Sequence, residues 1–328
     1  MQRVFSGIQP TGNIHIGNYL GAIRNWVEMQ HQYESLFCIV DYHAITVEYE
    51  PKKLHERVLD LAATLIASGI DPNTATLFVQ SSVPEHTELT WLLTCITSIG
   101  ALERMTQFKD KSERQKGGVF AGLMNYPVLM AADILIYKAE LVPVGDDQIQ
   151  HLELTREIAR RFNSLFGEIL PEPQPILTRA ARVMALNDPT SKMSKSIEGS
   201  YIAMDDDDDT IRKKIRRAVT DPGPQGGEMG PGVKNLFTLL EAFAESEVVE
   251  QFRADYANQS LRYSDLKHTL GEAIVEAIAP IRERRAEILA KPDQLIEILN
   301  AGAERARKLA RQTMAEVRDA MGFKMPVL

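Results

Sequence analysis

The chain has 328 residues and a formal net charge of −8 at pH 7, with 44% hydrophobic and 25% charged residues. These values are typical of a soluble globular protein that is long enough for two domains. An acidic chain has no general attraction for nucleic acid or anionic membranes, so any nucleic-acid contact requires local basic patches. Neither a signal sequence nor an apolar run long enough to span a bilayer is present, and we therefore expect a cytoplasmic protein without membrane contact.

The first 200 residues alternate short apolar runs with amphipathic stretches, which is typical of βαβ units and a parallel sheet. The pattern predicts strands at 4–8, 36–41, 75–80 and 141–144, and helices at 17–30 and 51–69. Cys38 and Cys95 both lie in apolar runs. We expect them to be buried free thiols rather than partners in a disulfide or a metal site.

The pattern changes after Ser196. Five consecutive aspartates at 205–209 precede a basic run, and this order of charges favours a helix through its dipole, so 205–219 is predicted to be helical. Residues 222–232 are rich in glycine and proline and predict a loop, whereas 236–322 are helix-patterned almost throughout. The chain is therefore predicted to be an α/β protein, with a Rossmann-like parallel-sheet domain at 1–200 and an all-helical domain at 201–328.

Residues 10–18, here called the N-terminal turn, follow the first predicted strand. Gly12 and Gly17 permit close approach of the backbone to a ligand, and the predicted helix start offers N–H groups to a phosphate. His15 and Asn18 lie three residues apart and can direct donors at the same phosphate. The residues also fit an ordinary turn with a helix cap. They do not match the spacing of a P-loop, which disfavours a P-loop ATPase.

A second motif, Lys192-Met193-Ser194-Lys195-Ser196, is here called the lysine loop. Two lysines among small hydroxyl residues can bind a polyphosphate and stabilise the charge that grows on a leaving pyrophosphate. A Mg²⁺ ion would share that task by bridging phosphate oxygens, without ligands from protein side chains. Taken in isolation, the same five residues fit a solvated turn better.

A third group lies in the predicted helix around Asp133, where Tyr126, Met130 and Tyr137 share one face with it. A carboxylate in so apolar a helix is costly unless it is paired. Asp133 is therefore either a core aspartate paired with a backbone group or an arginine, or an acceptor for a donor on an apolar ligand.

Polar residues also follow the predicted strands. Gly145, Asp147 and Gln148 come after the strand at 141–144, where they can bind hydroxyl or ammonium groups or cap the next helix. His43 follows another strand and would point into the same cleft, although a lone histidine is more often structural. Lys109, Lys111 and Arg104 can add positive charge near a phosphate, or be solvated surface.

Together these motifs resemble the class I aminoacyl-tRNA synthetases. The N-terminal turn is similar to the family's His-Ile-Gly-His region, and the lysine loop matches its Lys-Met-Ser-Lys-Ser motif in full. The closer resemblance is to the bacterial tryptophanyl branch, through residues 5–12, 15–22, 130–135 and 142–148. Asn18 replaces the final histidine of the class-wide motif, and that branch commonly carries asparagine there.

The resemblance implies a site for ATP, Mg²⁺ and L-tryptophan. The implied catalytic residues are His15, Asn18, Lys111, Lys192 and Lys195. The implied ATP-binding residues are Gln9, Pro10, Thr11, Gly17, Asn18, Gly145, Asp146, Asp147, Val183, Lys192, Met193, Ser194, Lys195 and Ser196. The residues implied to surround tryptophan are Phe5, Gly7, His43, Tyr126, Met130, Asp133, Val142, Val144 and Gln148. Among these, Asp133 would accept the indole N–H, and Tyr126, His43 and Gln148 would lie around the amino group and carboxylate.

The implied reaction is attack of the amino-acid carboxylate on the α-phosphate of ATP, followed by transfer to the 2′-hydroxyl of tRNA(Trp). The resemblance further implies a homodimer bridged by tRNA, and a helical domain that binds the anticodon and whose last helix packs back on the first domain. The basic run at 212–217 is a candidate phosphate-contacting face or a solvated helix face. Three alternatives stay open: a tyrosyl-tRNA synthetase, although no extra RNA-binding domain precedes Leu328; a non-catalytic RNA-binding paralogue; and another nucleotidyltransferase of this superfold.

Overall fold

A computed structural model of the chain describes residues 1–108, 118, 120–145, 148–177, 183–195, 197, 199–221 and 229–323. Five residues singled out above lie outside this range, namely Lys109, Lys111, Asp146, Asp147 and Ser196. Within the described residues, no helix is both long enough and apolar enough to cross a membrane.

The sheet has five strands: β1 (Arg3–Ile8), β2 (Glu34–Ile39), β3 (Thr76–Val79), β4 (Leu141–Val144) and β5 (Gln174–Leu177). They run in the order β3-β2-β1-β4-β5, and every pair is parallel. This confirms the predicted parallel sheet. The strand β5 was not predicted, because a four-residue Gln-Pro-Ile-Leu segment is too short to show a period. Its proline is tolerated because β5 is the edge strand.

The helices surround the sheet and make up most of the chain beyond residue 208. In the described residues they are α1 (Ile16–Asn18), α2 (Arg24–Met29), α3 (Asp41–Ala44), α4 (Pro51–Ala67), α5 (Glu85–Thr94), α6 (Ile99–Glu103), α7 (Ala121–Leu135), α8 (Ile149–Phe166), α9 (Asp208–Arg217), α10 (Pro231–Phe243), α11 (Ser246–Ala257), α12 (Tyr263–Leu289) and α13 (Pro292–Ala320). A π-helix (Tyr19–Ile23) joins α1 to α2, and a 3₁₀ turn (Gln80–Ser82) follows β3.

Local signals set several helix ends where they were predicted. Pro51 occupies the first turn of α4, and Gly69, just beyond its end, has a φ of 115° that other residues rarely adopt. The predicted helix at 17–30 is helical to Met29, with Gln30 as its C-cap, but its first half contains the π-helix. The predicted helix at 205–219 is shorter at both ends, because Asp207 is the N-cap of α9 and accepts a hydrogen bond from the Thr210 N–H at 2.7 Å.

The hydrophobic core consists of two clusters on opposite faces of the sheet. Successive residues of β2 alternate between them, with Phe37 and Ile39 in one cluster and Leu36 and Cys38 in the other. Both clusters also contain residues of α13. The two thiols differ: Cys38 is buried as predicted, but Cys95 is exposed, because it is the C-cap of α5 and faces away from the core.

The strand order determines where a ligand can bind. From β1 the chain adds β2 and β3 on one side and later β4 and β5 on the other, so the order reverses at β1. In open parallel sheets, ligands bind in the crevice outside the carboxyl ends of the strands at such a reversal. The N-terminal turn, His43 and Gly145 follow the carboxyl ends of β1, β2 and β4 and therefore meet at this crevice.

Candidate functional site

A cavity of about 290 Å³ lies at this edge of the sheet, between β1, β4 and α7. The volume is near the lower limit for small-molecule sites and suits an amino acid better than a nucleotide. Its walls are mostly apolar. Every residue implied to surround tryptophan lines this cavity: Phe5, Gly7, His43, Tyr126, Met130, Asp133, Val142, Val144 and Gln148. The close packing depends on Gly7, since a Cβ there would lie 2.8 Å from Cγ1 of Val40.

Asp133 is a buried carboxylate in the wall of this cavity, with 1% of its surface exposed. Its Oδ1 lies 2.6 Å from Nε2 of Gln80 and 2.6 Å from Nδ1 of His86. Its Oδ2 lies 2.7 Å from Nε2 of His43. The carboxylate is therefore paired, as its burial requires, but with two histidines and a glutamine rather than with a backbone group or an arginine.

These partners keep Asp133 ionised. Burial by itself raises the pKa of Asp133, but the hydrogen bonds and charges of His43 and His86 outweigh burial and lower this pKa to about 2. An ionised carboxylate is an acceptor only. The carboxylate of Asp133 therefore offers a fixed hydrogen-bond acceptor to an otherwise apolar ligand in the cavity.

His43 lies between Asp133 and Tyr126 in the wall of the cavity. Its Nε2 lies 2.7 Å from Oδ2 of Asp133, and its ring centroid lies 6.3 Å from that of Tyr126. The path of the chain explains this position, since β2 ends at Ile39 and α3 turns His43 inward toward α7. The hydroxyl of Tyr126 lies 2.8 Å from Nε2 of His151 and donates to Oε1 of Gln107 at 3.3 Å.

The N-terminal turn lies beside this cavity and meets the lysine loop. Gln9 lines the cavity, and its carbonyl accepts a hydrogen bond from the Thr11 N–H at 2.9 Å. The Lys195 ammonium donates to the carbonyls of Thr11 and, at 3.3 Å, of Gly12. Gly12 has a φ of 60°, so the turn needs glycine at this position. The two motifs, far apart in sequence, thus form one site.

Backbone hydrogen bonds fix their relative position. The chain just after the lysine loop pairs with the N-terminal turn, because the Ile16 N–H donates to Ile202 O at 3.0 Å and the Met204 N–H to Ile14 O at 2.8 Å. The Met193 N–H donates to Val183 O at 3.2 Å. A Cβ on Gly17 would lie 3.5 Å from Sδ of Met193, so the methionine packs directly over the glycine.

Asn18 and His15 present polar groups at this junction. Oδ1 of Asn18 accepts a hydrogen bond from the His15 backbone N–H at 3.2 Å, which leaves its amide N–H groups to other acceptors. Burial and the charges of Lys195 and Lys192 lower the pKa of His15 to about 4, so its imidazole is neutral at pH 7. Its Nδ1 is buried and has no hydrogen-bond partner among the described residues.

Lys195 is also electrostatically unusual. Burial and the positive charge of Arg57 lower the pKa of Lys195 to about 8, and Asp60 opposes this shift. A cation that is poorly compensated by the protein gains most from an anionic ligand. The lysine loop is therefore suited to bind a phosphate.

The comparisons with known proteins agree with this geometry. The model of the family described as tRNA synthetases class I (W and Y) matches residues 1–279. The chain belongs to this family. It is 47% identical to the tryptophan–tRNA ligase of Clostridium tetani, with 98% of this chain and 95% of the relative covered. It is 48% identical to the tryptophan–tRNA ligase of Helicobacter pylori, over 98% and 99% of the two chains.

A solved structure of a class I enzyme gives the same result. The tryptophanyl-tRNA synthetase of Campylobacter jejuni, in complex with ADP and tryptophan, superposes with a TM-score of 0.87 at 36% identity. The match covers 98% of this chain and all of the other. The resemblance read from the motifs and the predicted fold class are both confirmed.

Not every contributor to the site was apparent in the sequence. Gln80 and His86 were not predicted, and Tyr137 was noted only for its helical spacing with Asp133. A polar Gln80 at the end of the apolar strand predicted at 75–80 was the available signal. His86 gave none, because an imidazole at the start of α5 is also typical of an exposed helix.

Proposed function

We propose that this chain is a tryptophan–tRNA ligase that activates L-tryptophan with ATP and transfers it to tRNA(Trp). The observation that carries the proposal is the ionised, buried Asp133 at the end of an apolar cavity that opens beside the N-terminal turn. An aromatic side chain with one N–H donor complements such a cavity. The names of the relatives in Clostridium tetani and Helicobacter pylori support the same activity.

Within this proposal, the cavity holds tryptophan with its indole N–H toward Asp133. Phe5, Met130, Val142 and Val144 pack on the ring, and Gly7 leaves room for it. Tyr126 and Gln148 also line the cavity and would receive the amino group and carboxylate. A buried carboxylate left without a donor costs a few kcal/mol, so phenylalanine is rejected without an editing step.

ATP would occupy the crevice beside the cavity. Gln9, Pro10, Thr11, Gly17, Asn18, Gly145 and Val183 would surround it, with its phosphates at Lys192, Met193, Ser194 and Lys195. Asp146, Asp147, Ser196 and Lys111 stay predictions, since they lie outside the described residues. The charged side chains of the lysine loop are lysines, which do not ligate Mg²⁺, so phosphate oxygens would hold the ion.

Catalysis then consists of positioning and charge stabilisation. The tryptophan carboxylate attacks the α-phosphorus in line, and the bond to the bridging oxygen breaks to release pyrophosphate. Lys192 and Lys195 stabilise the charge that accumulates on this leaving group, and Mg²⁺ supplies additional charge neutralisation when it is bound. Asn18 and neutral His15 donate to phosphate oxygens from the N-terminal turn. The adenylate then acylates the 2′-hydroxyl of the terminal adenosine.

Amino-acid-dependent pyrophosphate exchange tests the proposal. We expect exchange with tryptophan and none above background with tyrosine or phenylalanine. The variant Asp133→Ala should lose discrimination against phenylalanine more than it loses exchange at saturating tryptophan. Exchange with tyrosine alone would favour a tyrosyl-tRNA synthetase, and silence with every amino acid would favour a non-catalytic paralogue.

The tRNA would be contacted by the residues from about 201 onward, which we propose as the anticodon-binding helical domain. The basic face of α9 is smaller than its sequence indicated, because Arg212 pairs with Glu272 at 2.7 Å and Lys214 with Asp206 at 2.5 Å. Lys213, Arg216 and Arg217 are exposed. Replacing these three with alanine should raise the KM for tRNA and leave tryptophan-dependent pyrophosphate exchange unchanged.

We also propose that the protein is a homodimer. Trp91, Ile99 and Phe120 are 68%, 65% and 67% exposed. They lie on α5, on α6 and just before α7, and α7 packs against both other helices. A hydrogen bond between Thr94 and Asn125 joins the end of α5 to the first turns of α7. Large exposed apolar residues on adjoining elements are typical of a protein–protein interface, and a second copy is the proposed occupant.

A further inference from the structure

The two oxygens of Asp133 have different surroundings. Oδ1 has two donors, Gln80 and His86, and therefore uses both of its lone pairs. Oδ2 has one donor, His43, and keeps capacity for one more. Neither Gln80 nor His86 lines the cavity, whereas Asp133 and His43 do. The free acceptor position is therefore on Oδ2, whose other partner, His43, lines the cavity. Oδ1 is held by Gln80 and His86, which are not part of the cavity lining.

The amide of Gln80 has a fixed orientation. Its Oε1 accepts the backbone N–H of Tyr42 at 3.1 Å, which leaves Nε2 to donate to Asp133 at 2.6 Å. Gln80 is fully buried. A flipped amide would set an N–H against another N–H on one side and an oxygen against a carboxylate on the other, so the observed orientation is strongly preferred.

The imidazole of His86 is fixed by Tyr137. The Tyr137 hydroxyl lies 2.6 Å from Nε2 of His86, while Nδ1 of His86 lies 2.6 Å from Asp133. Burial raises the pKa of Tyr137 far above its usual range, so the phenol keeps its proton and can donate it. When His86 is neutral, a phenol that donates to Nε2 selects the tautomer with hydrogen on Nδ1. When His86 is charged, Nδ1 carries a hydrogen in any case, so Oδ1 of Asp133 has its donor in both states.

We propose that His86, held by Tyr137, is a positioning residue that determines specificity for an indole N–H. It fixes the carboxylate plane of Asp133 so that the remaining acceptor position of Oδ2 faces the ring in the cavity. Gln80 contributes the second donor to Oδ1. This proposal rests on the proposed function, because it assumes that tryptophan is the ligand of this cavity.

The fixed carboxylate has a consequence for ligand choice. An indole N–H gains a charge-assisted hydrogen bond only if Oδ2 stays in the ring plane of the ligand. A ligand of the same shape without the N–H gains nothing from that orientation. Loss of His86 should therefore weaken binding of tryptophan while leaving the binding of such an isostere nearly unchanged.

Calorimetry on the full chain measures this difference, with tryptophan and 3-(benzothiophen-3-yl)alanine, whose sulfur replaces the indole N–H. The measured quantity is the dissociation constant of the isostere divided by that of tryptophan. In His86→Leu this ratio should fall by about tenfold, through weaker tryptophan binding. In the matched control His86→Asn it should stay within about threefold of the unsubstituted protein, because the asparagine amide nitrogen can take the place of Nδ1.

A purely structural role for His86 gives different results. Equal losses for both ligands would overturn the proposal, as would an unchanged ratio in His86→Leu or a failure of His86→Asn to restore it. If His86→Leu does not fold, Tyr137→Phe decides, since it removes one hydroxyl and frees the tautomer. That variant should lower the ratio by about threefold, and an unchanged ratio would overturn the proposal.

The test separates this proposal from the proposed function. A protein that prefers tryptophan to the isostere but gives no tryptophan-dependent pyrophosphate exchange would contradict the proposed activity alone. A protein that exchanges pyrophosphate with tryptophan, and whose ratio is insensitive to His86, would contradict the positioning role alone.

Discussion

Two charged side chains of the candidate site, Asp133 and Lys195, are buried to a large extent. Asp133 remains ionised inside an apolar helix because His43, His86 and Gln80 surround its two oxygens. Lys195 is the opposite case, since its nearest partners are carbonyls and its pKa is lowered to about 8. The carboxylate is compensated before any ligand arrives, whereas the lysine gains its compensation from a ligand.

This difference predicts a pH dependence of activation. Lys195 is protonated below its pKa of about 8 and neutral above it. Because the phosphates need the cation, kcat/KM for ATP in pyrophosphate exchange should fall as the pH rises through about 8. Lys195→Arg keeps its charge to above pH 12 and should lack this decline, although its geometry lowers the overall rate. The same decline in the unsubstituted protein and in Lys195→Arg would show that Lys195 is not the group whose deprotonation lowers kcat/KM.

The same lysine also separates binding from chemistry. Lys195→Ala should lower the rate of adenylate formation by about a hundredfold, because a charge that acts on the transition state is lost. The dissociation constant of tryptophan, measured in the absence of ATP, should change less than threefold, since Lys195 does not line the cavity. A large loss of tryptophan affinity would place the lysine in the amino-acid site instead.

At the scale of elements, the aspartate run shows what a sequence does not reveal. The sequence predicted a helix with acid at its start, and α9 confirms it. The structure adds that each aspartate has its own partner. Asp205 accepts from Asn13, Asp206 pairs with Lys214, Asp207 caps α9, Asp208 pairs with Arg282 and Asp209 with Arg212. The partners of Asp205 and Asp208 come from distant segments, and no local pattern could have named them. The partners of the other three lie within α9 itself.

The same distinction explains which elements were predicted. Helix α4 and strands β1 to β4 carry their own signals, such as a proline at the helix start and a continuous apolar run. Strand β5 and the Gln80–His86–Tyr137 arrangement depend on contacts between segments that are separated in sequence by tens of residues. The motifs were enough to predict the position of the site, because the spacing of glycines and lysines is a local property of the sequence. The orientation of the Asp133 carboxylate could be seen only in the folded structure.

The last helix, α13, packs against β3 so closely that a side chain is excluded at Gly302. A Cβ there would lie 1.8 Å from the carbonyl oxygen of Leu77, which belongs to the strand backbone and cannot move aside. Gly302→Ala should therefore lower the free energy of unfolding by about 2 kcal/mol or more, despite the better helix propensity of alanine. Denaturant unfolding followed by circular dichroism measures this.

Gly271 in α12 provides the matched control. A Cβ there would lie 3.8 Å from Cα of Arg212, which is an ordinary contact. Gly271→Ala should leave stability unchanged or raise it by up to about 1 kcal/mol. Similar effects of the two substitutions would mean that α13 does not pack on β3 as described.

At the scale of the whole molecule, the predicted division at residue 200 crosses a shared core. Leu295 and Leu299 of α13 join the cluster that contains Phe37, and Ala310 and Met314 join the cluster that contains Phe78. Arg318 pairs with Glu88 at 2.5 Å, and Arg305 donates to Pro72 O at 2.7 Å. The last helix is therefore part of the core that supports the sheet, and the carboxyl edge with its cavity depends on both halves of the chain.

The exposed face formed by Trp91, Ile99 and Phe120 gives the prediction at this scale. If a second copy covers it, Trp91→Glu should shift the protein from dimer to monomer in sedimentation velocity, because burial of a carboxylate without a partner is unfavourable. Leu165→Glu is the matched control: Leu165 is 52% exposed on α8, which carries none of the three residues, and its substitution should leave the dimer intact.

The fluorescence of the protein reports the same event independently. Trp26 is 2% exposed, and Trp91 is 68% exposed in the single chain. Dilution below the dissociation constant of the dimer should therefore shift the emission of Trp91 to the red, because its indole passes from an apolar contact into water. Trp91→Phe should abolish the shift and keep the dimer, since phenylalanine retains the apolar contact. An emission maximum that stays constant across a dimer-to-monomer transition would show that the copies meet through another face.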